Sequence, residues 1–185
     1  DDGILFDANI NLPLSGTGLD IFKNVAHGNI FSVLKPLVTT TGNTRFFEAS
    51  ISAGARFLFG DAQSGSTNAS FIVGGRALDT DNFSDLEVTD GTTHGNQVSL
   101  LTAFIDYGNS DASLFLNGSG VVTGNLANMT DGNTSNSSAT ATAIGSTNDT
   151  LTSNFNAKEI IIYNTDQSSN RTALETNIKS HYGIS

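Results

Sequence analysis

The chain has no cysteine, no tryptophan and few cationic residues. Without cysteine there is no structural disulfide, no thiolate zinc site and no cysteine nucleophile, so stability must come from packing. Four Lys and four Arg stand against fourteen Asp and four Glu, for a net charge of −10. A polyphosphate would be repelled rather than steered in, which argues against a nucleic-acid partner. The missing Trp removes the commonest platform for stacking a sugar face. No apolar run approaches the roughly 20 residues that span a bilayer, and no basic-then-apolar segment opens the sequence, so membrane insertion is not expected.

What is present favours strands. Apolar residues make up 37% of the 185, and twelve are Phe, enough to fill the space between two sheets. Gly, Ser, Thr and Asn are abundant, which suits short strands joined by tight turns. Apolar runs bounded by turn residues recur at Ile30–Leu37, Arg45–Ile51, Ala55–Phe59, Ala69–Val73, Val98–Asp106, Ser113–Leu116, Gly120–Val122 and Ala139–Ile144. Asn117-Gly118 between two of them predicts a two-residue hairpin, because both residues tolerate positive φ. The segments 61–68 and 125–138 are polar, with almost nothing to bury, and read as surface loops. A terminal helix is predicted, capped by Ser168 or Ser169, with Leu174, Ile178 and His181 or Tyr182 on one face and Gly183 as its stop. The strand before it, Ile160-Ile161-Ile162-Tyr163, is apolar at successive positions and so needs cover on both faces, which the helix supplies. The expected fold is an all-β antiparallel jelly-roll sandwich of two sheets with a short C-terminal helix, in one domain over residues 1–185.

Several landmarks carry a family resemblance: Ile30-Phe31-Ser32-Val33-Leu34-Lys35-Pro36, Arg56-Phe57-Leu58-Phe59-Gly60, Gly74-Gly75-Arg76-Ala77-Leu78-Asp79, and Leu101–Asp106 followed by Ser113–Gly118. The tail adds an Ile-Ile-Tyr-Asn strand, then Asn170-Arg171-Thr172, Glu175–Ile178 and Tyr182-Gly183-Ile184. In this order they resemble the concanavalin A-like, laminin-G-like sandwich family, in particular the versions in phage and prophage virion proteins. The resemblance implies a non-catalytic virion module, a tail fibre, head fibre or capsid decoration domain for assembly or host-surface attachment. Its partners would then be other virion proteins, its own copies in a homo-oligomer, or a host-surface glycan, and its setting virion or extracellular. The alternative is a secreted carbohydrate-binding, lectin-like module. Family members place an apolar strand before the Asp1-Asp2 pair, which implies a chain excised from something longer. The acidic Glu-x-Asp-x-x-Glu cluster of the family's glucanase branch is absent, since Glu48, Glu87, Glu159 and Glu175 stand apart, and glycosidase activity is not carried over.

The residues themselves point the same way. Hydrolysis of a glycoside needs two carboxyl groups across one bond, and the pairs Asp79/Asp81 and Asp85/Glu87 sit in turn-like or alternating sequence. A serine hydrolase needs a convergent His, and His27, His94 and His181 come without a Gly-x-Ser-x-Gly elbow or ligand-like spacing for zinc. His27 and His94 each adjoin Gly in loop-like sequence. Tyr107, Tyr163 and Tyr182 fall where structural roles are expected. A sugar site would draw on the loop groups Asp61, Asn68, Asp79, Asp81 and Asn82, with Phe83 as platform. No cofactor is demanded; calcium is permitted by the Asp-rich loops. Replacing Asp79 and Asp81 by Ala is expected to leave folding intact and to weaken ion or glycan binding. Eight Asn-x-Ser/Thr sequons, Asn68, Asn117 and Asn128 among them, are read as products of composition rather than as glycan sites.

Overall fold

Two antiparallel sheets of six strands each face one another across a phenylalanine-rich core. The computed structural model describes residues 3–6, 11–37, 42–52, 54–63, 70–89, 97–147 and 154–185. The first sheet has the order β1 (Ile4–Phe6), β12 (Phe155–Tyr163), β3 (His27–Pro36), β8 (Ser99–Asp106), β9 (Asp111–Leu116) and β10 (Ser119–Asn125). The second has the order β2 (Leu12–Pro13), β11 (Ala141–Ile144), β4 (Gly42–Ile51), β5 (Gly54–Gln63), β6 (Ser70–Gly75) and β7 (Ser84–Thr89). Neighbouring strands are often distant in sequence, the signature of the expected jelly roll.

Phe6 stacks on Phe155 at 4.5 Å and Phe22 on Phe57 at 4.8 Å, while Phe46, Phe59 and Phe71 close the space between them. Burying each such ring contributes about 1.5–3 kcal/mol. A bulge between Arg45 and Phe47 sends both Phe46 and Phe47 into the core, against strict alternation. Arg45 and Glu48 are left on the outer face of the second sheet.

The hairpin at Asn117-Gly118 forms as the dipeptide dictates, with φ of 50° and 87° and Ser119 paired to Leu116. The helix α1 (Arg171–Tyr182) packs Leu174, Ile178 and Tyr182 on Phe31, Val33 and Leu100, over the outer face of the first sheet. This accounts for the apolar run in β12: Ile160 and Ile162 face the core, and Ile161 and Tyr163 face the helix. Three sequence expectations are corrected. The residue before α1 is Asn170, and Ser168 instead donates to Asp166, so neither serine caps the helix. The 125–138 segment does bury side chains: Leu126 and Met129 enter the core and Thr134 hydrogen-bonds Phe22 O. His27 opens β3 rather than lying in a loop, whereas His94 lies outside the described residues.

Candidate functional site

The helix covers only part of the first sheet. Beyond its reach, period-two alternation turns a row of side chains outward, and the strand register aligns them across four strands. Asn29 on β3 lies opposite Phe104 on β8, Phe104 opposite Ser113 on β9, and Ser113 opposite Thr123 on β10. The adjoining row holds His27, Asp106 and Asp111. The turn after β12 adds Asp166 and Ser168, and together these groups line a pocket of about 240 Å3. That is small for a ligand site, suited to one small ring rather than to an extended molecule.

Its groups are held in place. Asn29, 2% exposed, donates from Nδ2 to Thr165 O at 2.9 Å and ties the turn to the sheet. The Ser168 amide donates to Asp166 Oδ1 at 2.8 Å, and its hydroxyl donates to Oδ2, which hold the Asp166 carboxyl below its usual range. Thr123 Oγ1 donates to Ser113 Oγ at 3.1 Å. Phe104 meets Phe31 and Phe115 edge-on, which fixes its ring at the floor. Asp106 accepts from Asn109 Nδ2 through Oδ2, while its buried Oδ1 has no hydrogen-bond partner; His27 Nδ1 stands 3.6 Å away, an ion-pair distance too long for a hydrogen bond. Asp106 and Asp111 are directly opposite across β8 and β9, a like-charge pairing that destabilises a sheet.

The residues singled out from sequence are placed as follows. Asp79, Asp81, Asn82 and Phe83 share the loop between β6 and β7; Asp61 is on β5, beside the start of β6, 3% exposed and accepting from the Ser70 amide; Asn68 lies outside the described residues. Asp79 accepts from Ser135 Oγ at 2.5 Å and Ser137 Oγ at 2.6 Å, which chiefly lower its pKa against an upward push from desolvation, and Arg56 at 3.5 Å lowers it further. Asp81 is pushed up by burial but more strongly held down by the Leu78 amide and by the hydroxyl and amide of Thr130. These carboxylates pin the 126–140 segment to the β6–β7 loop. The expectation that the Asp79/Asp81 double alanine leaves folding intact is therefore corrected. Asn82 is exposed, and Phe83 packs on Ala55, Leu58 and Ile72 on the outer face of the second sheet.

Asn29, Phe104, Ser113 and Thr123 escaped sequence reasoning because cross-strand register, not any local motif, brings them together. Polar His27 and Asn29 at alternate positions ahead of an apolar run were the available signal. Among the described residues, no group of three or more His, Asp or Glu is placed to hold a metal ion. Asp20, Asp79, Asp81 and Asp166 are all shifted down, and Glu175, shifted up by burial, is sealed beneath α1 at 3% exposure.

No family model matches the chain, and no curated protein matches its sequence. Among solved structures it is similar to the CBM40 module of the Ruminococcus gnavus IT-sialidase bound to α2,3-sialyllactose, with TM-score 0.67 and 13% identity over 95% of this chain and 96% of that one. It is also similar to a leech intramolecular trans-sialidase complexed with 2,7-anhydro-Neu5Ac, with TM-score 0.66 and 15% identity over 96% of this chain but 27% of that one. The likeness shows the jelly-roll fold.

Proposed function

We propose that the chain is a lectin-like carbohydrate-binding module, and that it holds an uncharged sugar unit on the outer face of the first sheet. The comparisons favour this reading over a virion structural role, because the structures that resemble the chain include a module solved with a glycan; fold alone does not fix function, so the site must carry the argument. The observation that carries it is the row Asn29, Phe104, Ser113, Thr123 beside Asp106 and Asp111. An aromatic floor takes the C–H face of a sugar ring, while carboxylates, an amide and hydroxyls take its hydroxyl groups. Three carboxylates at the pocket, from Asp106, Asp111 and Asp166, disfavour an acidic sugar there. The like-charge pairing of Asp106 with Asp111, which Asn109 and His27 meet only on the Asp106 side, is a cost to the sheet that ligand hydroxyls would offset.

Asp111→Asn tests this on a glycan array paired with thermal melts. The variant should be as stable as the wild type or more so, by about 0.2–1 kcal/mol. Its glycan signal should fall ten-fold or more, since a hydrogen bond to a charged group contributes about 1.5–3 kcal/mol. A wild-type chain silent across the array, or a variant that binds unchanged, contradicts the proposal.

A further inference from the structure

Asn-Gly occurs once in the chain, at the 117–118 hairpin tip, and the dipeptide that shapes the turn is also one that reacts with itself. The Gly118 nitrogen can attack Asn117 Cγ because glycine has no Cβ to block the approach. That closes a five-membered succinimide and expels ammonia; water then opens the ring at either carbonyl, leaving aspartate or isoaspartate. Asn117 and Gly118 are half-buried and Ser119 is exposed, so water reaches the tip. The attack requires the side-chain amide to swing onto the Gly118 nitrogen, and the fold holds that amide elsewhere. Asn117 Oδ1 accepts from the Leu100 amide at 2.9 Å, while the Asn117 amide donates to Leu100 O at 2.8 Å, a two-point clasp on β8. Leu100 is itself covered by Leu174 and Ile178 of α1. The helix also grips the tip directly: Asn117 O accepts from Lys179 Nζ at 2.9 Å and Gly118 O from Arg171 Nη1 at 3.4 Å. Arg171 is fixed in turn by Glu175 and by the Phe115 ring, whose centroid is 4.0 Å from its guanidinium carbon.

We infer that Asn117 is a modification site gated by α1: while the helix is docked its amide stays on β8, and when the helix lifts the amide cyclises onto Gly118 and becomes isoaspartate. Isoaspartate adds one carbon to the main chain of a two-residue turn. The 116–119 pairing, the Leu100 clasp and the Lys179 and Arg171 contacts cannot then all be kept. It also places a new carboxylate near Glu175, whose Oε2 stands 3.7 Å from where a Gly118 Cβ would be. Like charge opposes redocking, so the conversion is a one-way record of helix release. Aspartate, the other product, keeps an ordinary backbone and an oxygen for the Leu100 amide. The tip is at the end of β9 away from Asp111, and the inference does not depend on the sugar pocket.

The test incubates the full chain in mildly alkaline buffer, native and in guanidinium, and reads isoaspartate at each Asn by peptide mapping with electron-transfer mass spectrometry. Asn117 should convert about ten-fold or more slowly in the native chain, because several hydrogen bonds must open to release it. Lys179→Ala and Arg171→Ala, shown to be folded by circular dichroism, should move the native rate toward the denatured one, and Gly118→Ala should suppress conversion in both states. Wild type converted in guanidinium and then refolded should melt lower than the unconverted chain, whereas Asn117→Asp should melt close to wild type. A native rate equal to the denatured one overturns the inference. So do folded Lys179→Ala and Arg171→Ala chains that convert no faster than native wild type, or a converted chain whose melting is unchanged.

Discussion

Single residues in this chain show how a polar group is assigned to structure or to recognition. Asp81 is 8% exposed and accepts from the Leu78 amide, the Thr130 amide and the Thr130 hydroxyl, so its oxygens are spent on the fold. Asp81→Ala should cost about 1–3 kcal/mol by orphaning those donors, read as a lower midpoint in urea unfolding with an unchanged slope. Asp111 is exposed, pairs with nothing of opposite charge in its row, and faces Asp106, so its removal should not destabilise. From sequence the two aspartates are alike, and Asp81, in a composition typical of turns, looked the better ligand. Burial and partners separate them, and neither is visible without the tertiary structure. Glu175 is a third case: burial beneath α1 raises its pKa although Arg171 and Thr102 oppose the shift. The folded state therefore keeps a proton that the unfolded chain has lost, and stability falls as pH rises from 4.5 through the raised folded value. Glu175→Gln should flatten that part of the pH profile in thermal melts.

At the scale of elements, local chemistry was legible where a short motif dictates backbone geometry. Asn117-Gly118 is such a motif, and the hairpin tip also anchors the helix: Asn117 O accepts from Lys179 Nζ and Gly118 O from Arg171. A Cβ at Gly118 would meet only Glu175 Oε2, at 3.7 Å, so space is not the obstacle, but φ of +87° is. Gly118→Ala should cost about 1 kcal/mol, a fall of roughly 2–4 °C in Tm for a chain of this size. Strands with long apolar runs were legible too, β3 and β12 above all. β7 was not, because Ser-Asp-Leu-Glu-Val-Thr alternates over only six residues with Leu86 and Val88 as its inward pair. The 125–138 segment misled because two apolar side chains, Leu126 and Met129, anchor a run that is polar elsewhere. The platform residues could not be grouped from sequence at all. Asn29 and Thr123 are 94 positions apart, and only the register through β8 and β9 aligns them.

For the whole molecule, jelly-roll topology creates two outer sheet faces with different chemistry. One is covered by α1 except over an acidic pocket with a phenylalanine floor, and the other carries an unsatisfied arginine beside an apolar patch. Acid should unfold the chain through its loops. Asp79, Asp81 and Asp166 all have folded-state values below the usual 3.8, so their contribution is complete above that value and is lost as pH falls through the depressed ones. Circular dichroism melts below about pH 4 should show Tm falling, less steeply in Asp79→Asn. The most direct test of the account is a crystal structure of the chain with an uncharged glycan selected on an array. The account predicts a sugar ring over Phe104, with hydroxyls in hydrogen-bond reach of Asp106, Asp111 or Ser113. A ring bound at the Asp79–Phe83 loop, or on the second sheet alone, would contradict it.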